Sequence, residues 1–327
     1  MSTLRAIINA RVVGSASIRY PLVGVGPAAR SAGLSDQNLR LQIHPIRMSA
    51  AGASKRGYAS ITMAGSTSPD AAIELVDVVK DLDSVRVLDG VNLVVPRGAI
   101  TCLLGPSGAG KTVTVNHIVG LIHPSKGVVR LNGKNLARLT DTELNEVRTD
   151  MAVVLQGSLP FTCGLFFSLN VYENVASPLR QRRPRWSPER VHQVTMESLR
   201  LVGLAENAED MPDELSSGMA KRAAIARALA LEASIVIIDD FDSGIDGVRL
   251  ALLCDLLRAI QRDADATFLV TTHDMSAARK LADYVAVIHE GRIVASGEAE
   301  SVFASNEDVV AQLIEGQLSG PIQLRSP

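Results

Sequence analysis

The amino-acid sequence predicts an α/β fold in which buried strands of a parallel sheet present a phosphate-binding loop and a pair of carboxylates at their carboxyl ends. Two stretches carry that reading. AITCLLG is an apolar strand, GPSGAGKT (Gly105 to Thr112) a glycine-rich loop, and KTVTVNHIVGLI a helix directly after it. VIIDDFDSGID (Val236 to Asp246) is a second apolar run, closed by two adjacent carboxylates. Strands covered on both faces read as continuous apolar runs and deliver functional residues where they end. From Ala71 onward the chain alternates strand and helix patterns around these two anchors.

In chain order, residues 1–69 come first and differ in composition from the rest. They hold eight of the 33 basic residues and one of the 35 acidic ones, so the remainder carries 25 basic against 34 acidic residues, a formal net of −9. An acidic body of that kind argues against a nucleic-acid partner. The leader is rich in Ser, Ala, Gly and Arg without a helical or strand period, which predicts disorder over 1–70. Its composition also fits an organelle transit peptide, and Met48 and Met63 offer later starts that would make it an over-extended translation. Next, IELVDVV and VLDGVNLVVPRG read as strands of a small antiparallel β-layer.

The loop follows the pattern G-x-x-x-x-G-K-[ST] between a strand and a helix, the context its chemistry needs, and so predicts a P-loop NTPase core of the RecA-like kind. Backbone N–H groups of Gly105, Pro106, Ser107, Gly108, Ala109 and Gly110, less the proline that has none, are read as curling round a phosphate. Lys111 reaches the β- and γ-phosphates, and the Thr112 hydroxyl is a ligand for Mg²⁺. Adjacent carboxylates repel unless a cation sits beside them. Asp239 is therefore assigned to the Mg²⁺ shell and Asp240 to the water that attacks the γ-phosphate, with ATP as the nucleotide. Downstream, Ser216 is a suitable N-cap for a helix over Met219 to Leu231, whose free N–H groups form a second anion site.

Order and spacing of these motifs resemble the ATP-binding cassette (ABC) ATPases over residues 71 to about 300. The resemblance implies an inserted α-helical subdomain at about 158–232 and a tail over 301–327. It assigns Gln156 of MAVVLQG to the Q-loop and to the metal. Leu215 to Met219, with Ser216, Ser217 and Gly218, become the signature segment, Ser243 to Asp246 the D-loop, and His273 after TFLVTT the switch histidine. It further implies a head-to-tail pair of ATPase subunits sandwiching two nucleotides, with Lys111, Asp240 and His273 catalytic. The sequence departs from the pattern: Ser217 stands for a glycine, Met219 for glutamine, Asp240 for glutamate, Phe241 for proline, and Leu82 for an aromatic that stacks on adenine. Asp240 is one methylene short, which predicts slow hydrolysis. A slow, partly degenerate regulatory subunit is the alternative those departures leave open.

GMAKR in the signature, LFFSLNVYENVASPLR, DSGIDGVRLALL and the tail VVAQLIEGQLSGPIQL are more narrowly similar to the ATPases of Mce-type lipid transporters, in detail to the actinobacterial branch. That resemblance implies a multispanning permease partner and, indirectly, extracytoplasmic Mce lipid-binding proteins. It places the chain at the cytoplasmic face of the plasma membrane, or in an organelle if the leader is a transit peptide. Phe161, Phe166, Phe167 and Tyr172 lie where the family docks the permease. The rival is the ATPase of an amino-acid or metal importer. Composition agrees with a peripheral role, since no apolar stretch reaches the roughly 18 residues of a membrane span. Cys102, Cys163 and Cys254 are too scattered for a zinc site or disulfide framework.

Overall fold

The protein is described by a computed structural model over residues 70–83, 85–156, 164–305, 307–317 and 319–322. The leader, Phe161 and Cys163 lie outside these residues. β1 (Ala71–Leu82) and β2 (Val85–Pro96) pair as an antiparallel hairpin. β3 (Ile100–Leu104) leaves for a second sheet, while β4 (Lys126–Leu131) and β5 (Lys134–Asn135) return to the first, giving the order β2-β1-β4-β5. The expected antiparallel β-layer is present.

The second sheet adds β6 (Met151–Val154), β7 (Ile235–Ile238), β8 (Thr267–Thr272), β9 (Tyr284–His289) and β10 (Arg292–Glu298) in the order β10-β9-β3-β8-β7-β6. Every neighbouring pair is parallel except β10 with β9. Burial on both faces explains the unbroken apolar runs, because alternate side chains serve two different cores. Ile100, Cys102, Leu104, Val236 and Ile238 face the helices, whereas Leu103, Ile235 and Ile237 join Ile73, Leu75, Leu93 and Val95 of the β-layer.

Helices α1 (Lys111–Ile118) and α2 (Asp141–Thr149) contribute Val115, Ile118 and Val147 to the β-layer core. Helices α3 (Val171–Arg182), α4 (Pro188–Leu201) and α5 (Ser217–Ala230) fill the other side, with α6 (Gly247–Ala264), α7 (Met275–Leu281), α8 (Ala299–Phe303) and α9 (Asp308–Glu315). α1 stops four residues earlier than the apolar pattern to Ile122 predicts, because Gly120 takes φ 73° and ends it in the left-handed manner of a helix C-terminus. Cys102 and Cys254 are free and buried; burial pushes the Cys254 thiol up to about 11 and the Cys102 thiol higher still. No helix among the described residues is long and apolar enough to cross a membrane.

Candidate nucleotide site

The parallel strands β3, β8, β7 and β6 lie side by side, and each ends in a residue the sequence singled out. β3 runs into the loop at Gly105, β7 into Asp239 and Asp240, β8 into His273, and β6 toward Gln156. Residues up to 168 positions apart thus share one sheet edge, from Gly105 to His273.

At the loop, Gly110 takes φ 110° at the N-cap of α1, and a Cβ there would lie 2.8 Å from Leu88 Cδ2, so the turn into the helix needs glycine. No side chain caps α1, which leaves its first N–H groups for an anion. Lys111 Nζ donates to the carbonyls of Gly105 at 2.7 Å and Pro106 at 3.0 Å, folding its ammonium over the loop. Burial lowers the Lys111 pKa, and the charges of Asp239, Asp240 and Asp242 oppose that shift. Thr112 stands on the first turn of α1, beside Lys111.

Asp239 is 1% exposed, and its Oδ1 accepts from the Thr271 hydroxyl at 2.5 Å. Its Oδ2 is buried without a hydrogen-bond partner among the described residues. A buried, unpartnered carboxylate oxygen costs several kcal/mol unless a cation meets it, so Asp239 fits the Mg²⁺ role that the sequence assigns. The next residue faces a different way: Asp240 has φ 56°, a left-handed backbone that Asp and Asn tolerate best among non-glycine residues. Gln156 Nε2 lies 3.4 Å from Asp240 Oδ2, and His273 Nδ1 lies 4.0 Å from Asp240 Oδ1.

Ser216 caps α5, its Oγ accepting from Met219 N at 3.3 Å. The helix begins at Ser217, two residues before the expected start, because the cap itself sets the first turn. Gly218 is packed so closely on the turn at Gly244 that a Cβ would lie 2.2 Å from Gly244 O. Asp246 is tied locally as well: it caps α6 by accepting from Arg249 N at 3.0 Å and pairs with the Arg249 guanidinium at 2.6 Å. These bonds, the backbone N–H of Arg249 first, hold its carboxyl below the usual range. Leu82 is exposed at the tip of the β1–β2 hairpin, opposite Val85.

Two residues that sequence reasoning did not select, Lys221 and Thr271, hold the carboxylates in place. Lys221, 2% exposed, donates from Nζ to Asp239 O at 3.0 Å and Asp240 O at 2.7 Å. From the other side, the Thr271 hydroxyl accepts from Asp240 N at 2.8 Å, and Thr271 O accepts from Phe241 N at 2.9 Å. A proline at 241 could not make that last bond, so the departure to phenylalanine adds a tie while its ring fills the core. Asp242 contacts His273. The basic pair in GMAKR was the available signal for Lys221, but its inward direction was not legible. Lys221→Met keeps the bulk and removes the donor. With about 1–3 kcal/mol for an unsatisfied buried polar group, a stability loss of about 2 kcal/mol is expected. For a domain of this size that is a fall of roughly 4–8 °C in Tm, readable by calorimetry.

The ABC transporter family matches residues 88–243. The probable ribonucleotide transport ATP-binding protein mkl of Mycobacterium leprae is 38% identical over 251 residues, covering 77% of this chain and 71% of that one. The intermembrane phospholipid transport system ATP-binding protein MlaF of Escherichia coli K12 is 36% identical over 257 residues, covering 77% of this chain and 93% of MlaF. Among solved structures, a dimeric ATP-binding cassette in a post-hydrolysis state with ADP and phosphate shows a TM-score of 0.63 at 29% identity, covering 69% of this chain and 98% of that one. With the phosphate loop, the carboxylate strand and the switch position gathered on one sheet edge, and with these relatives, the chain belongs to the ABC transporter family as one of its ATP-hydrolysing cassettes.

Proposed function

We propose that this cassette powers a lipid transporter of the Mce type, hydrolysing Mg-ATP while docked on a multispanning permease at the cytoplasmic face of the membrane. The observation that carries the cargo class is the match to MlaF over nearly its whole length, since MlaF is named for phospholipid transport. The domain reading is a cassette over 71–300, a helical subdomain at about 158–232 and a tail over 301–327. Phe166 and Phe167, 57% and 48% exposed beside α3, support the docking face. The extracytoplasmic Mce proteins are reached only through the permease.

In this reading the loop residues Gly105 to Gly110 and the α1 N-terminus bind the phosphates, and Lys111 places its charge on them. Asp239, Thr112 and Gln156 hold Mg²⁺, which when bound neutralises charge on the β- and γ-phosphates. Asp240 orients the attacking water and accepts its proton, and His273 contacts the γ-phosphate side. Ser216, Ser217, Gly218 and Asp246 serve the nucleotide held by a second copy. Leu82 and Val85 offer the base an apolar rest without ring stacking.

Two measurements test this. The full chain is expected to purify with a multispanning permease and to move labelled phospholipid between vesicles in an ATP-dependent way; co-purification with an amino-acid or metal receptor and no lipid movement would sink the cargo class. In light scattering, the Asp240→Asn chain with its permease is expected to carry two cassettes per complex. Alone, it should shift from monomer to dimer on adding Mg-ATP, because phosphate must bridge two acidic surfaces. Monomer mass in both settings with ATP bound overturns the sandwich.

A further inference from the structure

Asp242 lies three residues past Asp239, on the turn after β7, and it makes three contacts with one neighbouring segment. Its Oδ2 lies 2.9 Å from His273 Nδ1. Its Oδ1 accepts from the Thr272 hydroxyl and, at 3.3 Å, from the backbone N–H of His273. The Thr272 hydroxyl in turn accepts from Asp274 N at 3.0 Å. The carboxylate is buried, at 9% exposure, whereas the His273 side chain is 63% exposed. One anion therefore grips both the backbone and the ring of a histidine that otherwise stands in solvent.

We infer that Asp242 is a positioning residue for His273: it holds the imidazole by Nδ1–H and leaves Nε2 as the only ring nitrogen free to meet the nucleotide. A carboxylate has no proton to give, so the facing Nδ1 must carry one. That selects the less common tautomer of a neutral imidazole and fixes the ring plane, as the outer carboxylate does for a histidine in metal and hydrolase sites. The same contact decides between the two carboxylates that approach the ring. At 2.9 Å against 4.0 Å, the ring hydrogen bond goes to Asp242 and not to Asp240. Asp240 Oδ1 is thereby spared the ring as a partner and left for water, while Oδ2 lies 3.4 Å from Gln156 Nε2.

The inference rests on the reading of His273 as the switch histidine, and the test separates the two. Steady-state hydrolysis and ATP affinity are measured on the full chain with its permease for Asp242→Ala, Asp242→Asn, His273→Ala and the double variant Asp242→Ala with His273→Ala. Asp242→Ala is expected to lower kcat at least tenfold with ATP affinity within about threefold of the parent. The double variant should be no slower than His273→Ala alone, because Asp242 acts through the histidine. Asp242→Asn, whose amide oxygen still accepts from Nδ1–H, should recover part of the rate.

A nitrogen-detected NMR experiment on the full chain, run above the imidazole's titration range, reads the tautomer without any activity. It should find proton on Nδ1 of His273 in the parent and in Asp242→Asn, and on Nε2 in Asp242→Ala. If His273→Ala hydrolyses ATP at the parent rate, the switch reading fails and this inference falls with it. If His273→Ala is slow while Asp242→Ala is not, or if the two losses multiply, or if the tautomer is unchanged, the switch reading stands and Asp242 is not its positioning residue.

Discussion

Asp240→Asn is expected to bind Mg-ATP as tightly as the parent or more tightly, while turnover falls by at least about 100-fold, the usual scale for a displaced general base. The structure makes this a clean substitution. Asparagine tolerates the left-handed backbone at φ 56° as well as aspartate does, and every tie to Lys221, Thr271 and Phe241 runs through backbone atoms or other side chains. The side chain's own partner, Gln156 Nε2 at 3.4 Å, can still donate to the amide oxygen, so in the proposed reading what is lost is a negative charge beside the γ-phosphate. Asp239→Asn should act in the opposite sense on binding, because in the proposed reading the unpartnered Oδ2 is the atom that would meet the cation. Its Mg-ATP affinity is expected to fall tenfold or more, about 1.4 kcal/mol, with affinity for nucleotide in EDTA little changed. Titration calorimetry with and without Mg²⁺ separates the pair. Asp240→Glu adds reach at the expense of a backbone that glutamate tolerates less well, so a higher kcat together with a lower Tm is expected. Unchanged hydrolysis by Asp240→Asn in the intact transporter would remove Asp240 from the chemistry.

Gly218→Ala is expected to lower turnover by about 100-fold and to abolish ATP-driven dimerisation, with the monomer's own ATP affinity within about threefold of the parent. A Cβ at 218 would sit 2.2 Å from Gly244 O and 3.2 Å from Gly244 C, both backbone atoms, so the α5 N-terminus and the Ser243–Asp246 turn must separate by about 1 Å. The turn is packed on the helix start from its own side too: Gly244 is at φ 74°, and a Cβ on it would meet Ser217 Oγ at 2.7 Å. The hydroxymethyl that replaces the usual glycine at 217 is thus packed against the D-loop and not into open space. Loss of the dimer with the loop's affinity intact would place the defect at the second copy's face. Parent-like turnover would mean that this contact opens without consequence.

Much of the site was legible because its chemistry is written in short, contiguous signals. Gly105 to Thr112 is a backbone shape that needs glycine and lysine at set spacing, and IVII followed by Asp239 is a buried strand with a carboxylate at its end. Local rules reach the cap at Ser216 and the hairpin of β1 and β2 as well. They do not reach the length of α1, where a single left-handed glycine overrode the apolar period. Nor do they reach the local bonds of Asp246, whose carboxylate caps α6 and pairs with Arg249.

The sequence by itself determined the fold class, the glycine-rich turn from β3 into α1 and the placement of Asp239 and Asp240 at the end of a buried strand, since each depends on residues within one strand, loop or helix. Only the tertiary structure decided how those carboxylates are held. Lys221 comes from α5, Thr271 and His273 from the end of β8, and Asp242 from the turn after β7, and nothing in their spacing says that they meet. Lys221 would ordinarily be read as a solvated helix charge. It is buried because the parallel order β8-β7-β6 brings α5 over the ends of the strands, where two backbone carbonyls need a donor that no strand neighbour can supply.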